Sequence, residues 1–508
     1  MTWGFSMALK RFLLSGCAAA GLVAVFAASA HAQSSSNIGV QMNSLQQQIQ
    51  QLQQQLQSLQ GQVKAAQDQA QQSQQTAKKV EADQAAMPKV TLANGRPGWE
   101  SADGQNSIQL TSRIHLDVGD YLSYDKAGSG SPSKLDSGFN ARRARIGFLG
   151  KFMGDWNYGL IFDGGGSSDG TQTSIIENAF VTYNGFYHGP YPAAIDLGYI
   201  DVPWTLDEAT SSNDIMFLER SSSQVVATEF GGGDQRSAFG VRSNDDRYWG
   251  AFYFTGPTAG ATHSGVAHEQ TAALARLSYQ VLQTPEYSLH LGGNFADMFH
   301  AGGGTSQTLT LSDRPELRVD PTSILTTGAI NANGGYVAGA EVAGQYENAF
   351  VQGEYYHYWV DQYDAVGTTT PTPTLNFNGG YVQASYSFGG RRKYLPATGA
   401  YSGVIPDHPL SMSLNGFGNG WGAFEVAGRY SYVNLNDAVT AGTAQTTTGG
   451  VYGGNQHTWT AGLNWYPNNN LRFMLDYIHA TVDKLASNGT TQGGAKIDAL
   501  ALRTQVAF

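Results

Sequence analysis

The stretch Asp498-Ala499-Leu500-Ala501-Leu502-Arg503-Thr504-Gln505-Val506-Ala507-Phe508 decides how the rest of the chain is read. At the strand period of two, Leu500, Leu502, Thr504, Val506 and Phe508 share one face, while Ala501, Arg503, Gln505 and Ala507 share the other. One face suits lipid and the other suits water. A strand of a soluble sandwich shows the same alternation but ends in a turn, whereas this one ends on an aromatic residue. If it pairs with the first strand of its domain, the sheet closes and both of its edges disappear.

Composition points the same way. The 508 residues include 63 Gly, 26 Tyr, 23 Phe and 9 Trp, only 14% are charged, and past the amino terminus no apolar run is long enough to span as a helix. A glycine- and aromatic-rich chain without membrane helices implies an all-β transmembrane barrel, and the terminal aromatic strand resembles the closing strand of bacterial outer-membrane barrels. The formal charge of -11 argues against nucleic acid as a partner, because phosphate binding needs a basic excess.

Residues 1–32 read as an export signal: Lys10 and Arg11 precede the apolar run from Phe12 to Ala28, and Ala30-His31-Ala32 before Gln33 has the small-x-small form of a cleavage site. Cleavage there removes two cations and no acid, taking the charge from -11 to -13, and removes Cys17, the sole cysteine, so no disulfide is expected. Residues 33–87 form a Gln-rich periplasmic segment in which Met42, Leu45, Ile49, Leu52, Leu56, Leu59, Val63, Ala66, Ala70, Ser73, Ala77 and Val80 recur at steps of three and four, the spacing of a coiled-coil seam. Such a seam needs partner helices, so the chain is expected to oligomerise. Pro88, Gly95, Pro97 and Gly98 then break the helix in a linker over 88–105.

From residue 106 to 508 the period changes from 3.6 to 2. The candidate strands are 107–122, 139–152, 155–164, 173–184, 193–200, 236–243, 247–256, 268–282, 286–298, 334–346, 348–361, 377–390, 420–436, 456–467, 470–483 and 496–508, about sixteen in all. An even number of antiparallel strands of this order encloses a water-filled lumen. In the first two strands the alternation sets Ile114, Leu116, Ile146 and Phe148 against Arg113, His115, Arg143, Arg145 and Lys151, so basic residues face the lumen.

The segment 201–235 is too long for a plain hairpin loop. Here Gly198-Tyr199-Ile200-Asp201-Val202-Pro203-Trp204-Thr205-Leu206-Asp207-Glu208, Ser211-Ser212 and Phe217-Leu218-Glu219-Arg220-Ser221 resemble the constriction segment of the phosphate-selective porin O and P family. Arg142-Arg143-Ala144-Arg145-Ile146-Gly147 and Gly154-Asp155-Trp156-Asn157-Tyr158 are similar to that family's second hairpin. The resemblance implies a homotrimeric outer-membrane channel, phosphate among its solutes, whose third loop, with Asp201, Pro203, Trp204, Glu208, Glu219 and Arg220, folds inward and narrows the pore. Where the family tends to carry a lysine, this chain has Asp201, which sets phosphate selectivity against a general anion pore.

By parity Arg236 and Arg242 also face inward, so a row of Arg113, Arg143, Arg145, Arg236 and Arg242 offers fixed positive charge to small anionic solutes. The alternative is that these arginines pair with Asp201, Asp207, Glu208 or Glu219 and fix the segment to the wall. Enzyme readings are weak. Gly166-Ser167-Ser168-Asp169-Gly170 has the nucleophile-elbow spacing but reads as a turn with no helix after it, and no histidine pair has zinc-site spacing, so no catalytic residue, metal or cofactor is expected. Two functions stand: a diffusion channel for small hydrophilic solutes, or a structural outer-membrane protein whose coiled coil tethers lipid to peptidoglycan.

Overall fold

The computed structural model describes residues 36–93, 95–166, 174–190, 192–261, 269–284, 286–302, 306–363, 371–413, 416–418 and 420–508. The export signal and residues 167–170 of the elbow-like turn lie outside the described residues. The chain divides into two units, Met1–Ala85 and Ala86–Phe508. In the first, the seam and its glutamines make one α-helix, α1 (Ser36–Ala86). Leu45, Ile49, Leu52, Leu56, Leu59 and Val63 stand more than half exposed along it. No helix among the described residues is long and apolar enough to cross a membrane.

The second unit is a closed antiparallel barrel of sixteen strands. They are β1 (Ser107–Lys126), β2 (Gly138–Phe152), β3 (Trp156–Asp163), β4 (Ile176–Tyr183), β5 (Ala194–Val202), β6 (Gly233–Asn244), β7 (Tyr248–Thr258), β8 (Thr271–Gln283), β9 (Tyr287–His300), β10 (Ile330–Tyr346), β11 (Ala349–Gln362), β12 (Leu375–Phe388), β13 (Ala423–Asp437), β14 (Val451–Tyr466), β15 (Leu471–Asp483) and β16 (Ala495–Ala507). Each pairs with its neighbours in sequence, and β16 returns to pair with β1 from Ala495↔Lys126 to Ala507↔Arg113. Beyond the ladder, Phe508 and Ser112 exchange backbone hydrogen bonds of 2.9 and 3.0 Å. The sixteen candidate strands of the sequence are these sixteen, and the linker adds a hairpin, Lys89–Ala93 with Arg96–Glu100, that pairs onto the start of β1.

Burial follows the alternation. Leu500, Leu502 and Val506 are exposed on the outer face, whereas Ala501, Arg503 and Gln505 are buried on the inner one. The outer face carries aromatic pairs such as Tyr336–Trp359 and Phe424–Trp465, with ring centroids 4.7 and 6.0 Å apart, and His357 belongs there beside Trp359. Parity fails at one informative place. A bulge in the β1–β2 ladder, between His115↔Arg143 and Leu116↔Ala141, leaves Arg142 unpaired in the ladder, so Arg142 turns inward beside Arg143.

The closing ladder is pinned from inside by Arg503, whose guanidinium donates to both carboxylate oxygens of Asp117 at 2.6 and 2.7 Å and to Glu219 Oε1 at 2.9 Å. Both members of the Arg503–Asp117 pair are buried, so removing one strands the other's charge at about 3–5 kcal/mol. We expect Arg503→Ala to lower the fraction of barrel that keeps its folded gel mobility on heating, and Arg503→Ala with Asp117→Ala to recover part of that loss. Equal losses in the single and double variants would show that the pair does not hold the closure.

Candidate functional site

The chain between β5 and β6 enters the lumen and stays there. Thr205 caps the short helix α2 (Leu206–Ala209) by accepting from the Glu208 backbone N–H at 3.1 Å, and Ser221 caps α3 (Ser222–Thr228) through the Gln224 N–H at 3.3 Å. The return to β6 runs through Gly231, Gly232 and Gly233. Gly231 and Gly233 adopt positive φ, and a side chain on Gly232 would collide with the Trp204 indole.

The inner faces of β8 to β14 are built as a seat for this segment rather than as a wet wall. Trp204, Val226, Ala227 and Phe230 pack against inward Leu274, Met298, Val337, Tyr356, Tyr358, Phe377 and Val433 in one apolar cluster. Isolated polar side chains in the wall then satisfy the segment's backbone. Glu354 accepts from Leu206 N and Asp207 N at 2.8 and 2.9 Å, Asp476 accepts from Leu218 N at 2.8 Å, and Arg429 donates to the Glu219 carbonyl at 2.8 Å. That part of the lumen is therefore filled, and the open interior expected from the strand number is reduced to the remaining side, from the end of β14 through β15, β16 and β1 to β7.

Two cavities occupy that side. One, of about 480 Å³, is lined by Arg113, Arg145, Arg242, Asp196, Asp201, Pro203, Glu208 and Ser211, among others. The second, of about 600 Å³, lies at the end of the barrel that carries Phe508 and the Asn468–Asn470 turn, and shares Arg113 and Ser211 with the first. Short turns and both ends of the barrel chain mark this as the periplasmic side. The long connection 389–422, on the same side, also reaches into the lumen: Arg392 pairs with Glu425 at 2.8 Å, and Trp249 donates to the Ala397 carbonyl at 3.1 Å.

The basic residues expected to line the pore separate into three groups. Arg113 stands where the cavities meet and donates to Ser212 Oγ at 2.5 Å and Ser211 Oγ at 3.2 Å; among the described residues no carboxylate pairs with it. Arg145 and Arg242 also face the first cavity but are matched by acids. Arg145 meets Asp163, Glu177 and Asp234 at 2.7, 2.6 and 3.4 Å, and Arg242 meets Asp196 at 2.9 Å. Arg143, Arg236 and Lys151 line neither cavity. Arg143 is buried with no protein acceptor for Nε or Nη1, Arg236 is spent on Gly232 and Gly256 carbonyls and on Gln270, and Lys151 lies six residues along β2 from Arg145, at the Met153–Gly154 turn.

The segment's own residues divide likewise. Trp204 and Glu219 are buried away from the cavities. Arg220 ties the segment to itself through the Glu208 carboxylate at 3.3 Å and the Thr210 carbonyl at 2.9 Å. Asp201, at a bulge between β5 and β6, lines the first cavity with Glu208, and its carboxylate lies within 4.8 Å of those of Glu208 and Asp234. The lining thus mixes both signs, and Arg113 is its cation with only hydroxyl partners.

A closed sixteen-strand barrel narrowed by an inward segment has the build of an outer-membrane channel rather than of an enzyme. Residues 108–508 match the family described as phosphate-selective porin O and P, and the chain belongs to that family, a multi-pass barrel of the bacterial outer membrane. It is 23% identical to Porin O of Pseudomonas aeruginosa over 80% of this chain and 90% of that protein, and 27% identical to an uncharacterised protein of Caulobacter vibrioides over 78% and 72%. Among solved structures, it is similar to an anion-selective porin from Comamonas acidovorans (TM-score 0.47, 13% identity, 79% of this chain and 100% of that one). It is also similar to OmpT of Vibrio cholerae (TM-score 0.46, 12% identity, 80% and 98%).

Glu219 reports on whether the segment is docked. Burial alone would push its carboxyl up, but Arg142, Arg503, Arg318 and Arg143 overcome that and hold it well below the usual carboxylate range. A depressed folded value means the stabilisation is complete above the unfolded value of about 4.3 and is lost only as pH falls through the folded one. Single-channel conductance is therefore expected to stay level from neutral pH down to about 4.3 and to rise in stronger acid as the segment loosens. Deleting residues 207–230 is expected to raise conductance at every pH. A deletion variant that assembles with unchanged conductance would show that the segment does not set the pore.

Proposed function

We propose that this porin passes small hydrophilic anions, inorganic phosphate among them, and that Arg113 with Ser211 and Ser212 forms the anion-selecting point of its lumen. The observation that carries this reading is the placement of Arg113: a guanidinium at the junction of the two cavities, held by two hydroxyls instead of a carboxylate. Its charge is uncancelled by any direct pair, and low-dielectric walls focus its field into the passage. A guanidinium flanked by hydroxyl donors matches the planar, multidentate geometry of an oxyanion. The acids around Arg145 and Arg242 oppose it, so anion preference is expected to be moderate.

Planar-bilayer recordings under a salt gradient test this. The unmodified channel should show a reversal potential of anionic sign that shrinks as ionic strength rises, Arg113→Ala should abolish most of it, and Asp201→Lys should strengthen it. Cation preference in the unmodified channel, or an unchanged potential in Arg113→Ala, would leave a non-selective pore.

We further propose that the chain assembles as a homotrimer held partly by α1. This reading rests on the row of half-exposed Leu, Ile and Val side chains along a helix of 51 residues, each about 1.5–3 kcal/mol more stable when buried. At about 1.5 Å per residue the helix reaches roughly 75 Å, enough also to meet peptidoglycan in the tether reading. Placing Leu52→Asp and Leu56→Asp in the seam should shift crosslinked species from trimer toward monomer, and monomers from the unmodified protein would end the proposal.

A further inference from the structure

The linker hairpin takes part in the lumen. Its second strand, Arg96–Glu100, pairs with the first residues of β1 as Gly98↔Gln109 and Trp99↔Ile108. β16 has ended by that level, where Phe508 bonds to Ser112, so the hairpin takes the place that β16 leaves and prolongs the wall toward the periplasm. Continued to the start of the hairpin strand, the same register sets Arg96 level with Thr111, on the face of β1 that carries Arg113. The hairpin tip is seated on the barrel: Gly95 has φ of 76°, and a Cβ there would stand 3.0 Å from Asn470 Nδ2 in the β14–β15 turn. Arg96 precedes residues 108–508, which match the family, so it is a contribution of the linker.

Arg96 brings a third guanidinium to the periplasmic cavity of about 600 Å³, beside Arg113 and Arg472. Asp214 is the one acidic side chain in the described lining, and the Phe508 oxygen is already met by Thr111 Oγ1 and the Ser112 N–H, each at 2.9 Å. Arg472 of β15 and Gln505 of β16 stand opposite each other in the ladder, on the inner face, and only 2% and 6% of them is exposed. Both donate to the Asn213 carbonyl at 3.1 Å, which fixes the Gln505 amide with Nε2 on that carbonyl. Arg472 also donates to the Met216 carbonyl at 3.2 Å and lies 4.7 Å over the Tyr466 ring. Each of the pair is left with one polar atom that no described group satisfies: Nε of Arg472, a donor, and Oε1 of Gln505, an acceptor. Arg96 Nε is unmet as well. Leaving such atoms unmet in a buried wall is costly, and a solute that meets them recovers that cost.

These atoms call for two kinds of partner. The guanidinium groups call for an anionic oxygen, and the Gln505 carbonyl calls for a hydroxyl hydrogen. Chloride or a plain carboxylate meets only the first. An anion that also carries hydroxyls meets both, and the volume falls within the range of about 300–1,000 Å³ that holds small organic ligands.

We propose that this periplasmic cavity is a binding site for hydroxylated organic anions of the size of a sugar acid, with Arg96 of the linker and Arg472 taking the anionic group and Gln505 taking a hydroxyl. The inference rests on the anion-passing reading of the lumen and adds to it a class of solute held at its periplasmic end.

The test is block of chloride current through single channels of the full-length exported protein by D-glucuronate, with acetate and D-glucose as the anion without hydroxyls and the polyol without charge. Glucuronate should block half-maximally at a concentration about tenfold or more below either control, and Arg96→Ala should weaken that block about tenfold. Gln505→Met should narrow the gap between glucuronate and acetate. Arg96→Cys introduces the one cysteine outside the export signal. A thiol reagent that adds an ammonium group there should restore the block, and one that adds a sulfonate should not, a difference that a loss of folding would not show. Glucuronate no better than acetate and glucose, or a block that Arg96→Ala leaves unchanged, overturns this site alone when the same channels keep an anionic reversal potential. Cation preference in the unmodified channel overturns the anion reading with it.

Discussion

In hydrocarbon an unpaired backbone N–H or C=O has no water to turn to, so a sheet that spans a membrane must leave no edge. The pairing of β16 with β1 meets that demand here, and much else follows from it. Once the ring is closed, every strand has one face in lipid and one in the lumen, and the alternation in the sequence acquires a meaning it lacks in an isolated strand. Arg503 and Asp117 are consequently trapped side by side inside, where each is tolerable only because of the other.

The interior shows how a ring of this size avoids being an open hole. Among the described residues three connections enter it, those between β5 and β6 and between β9 and β10 from the extracellular side and that between β12 and β13 from the periplasmic side, and each is fixed by a buried arginine–carboxylate pair: Arg503 with Glu219, Arg429 with Glu316, and Arg392 with Glu425. Most lumen arginines are thus structural. The charge left to act on a solute is the small remainder, which is why the net charge of the chain says little about the passage and the partners of Arg113 say much.

The split between a packed half and an open half follows from the same economy of contacts. Between β8 and β14 the inner faces carry leucine, valine, phenylalanine and tyrosine, which pack the inward segment by burial, with Glu354 and Arg429 adding charged contacts to its backbone. Toward β1 to β7 they carry arginine, aspartate, threonine and serine, and there the first cavity remains, with the second beside it toward β15 and β16.

The sequence by itself determined the barrel, its sixteen strands and the identity of their inner and outer faces, because a period of two between water and lipid is a local signal that each strand carries alone. It also marked 201–235 as more than a hairpin, through length. Only the tertiary structure decided what the arginines do. Arg142, one position from Arg143 and so of the opposite parity, faces inward through a one-residue bulge; Arg143, Arg145 and Arg242 looked alike in the sequence, yet the acids of Arg145 and Arg242 come from β3, β4, β5 and β6, and among the described residues none pairs directly with Arg143. The same holds for Glu354, Asp476 and Arg429, single polar residues on inner faces whose partners on the inward segment lie from 147 to 258 positions away. Such pairings depend on register, bulges and the fold of a distant loop at once, and no spacing within one strand encodes them.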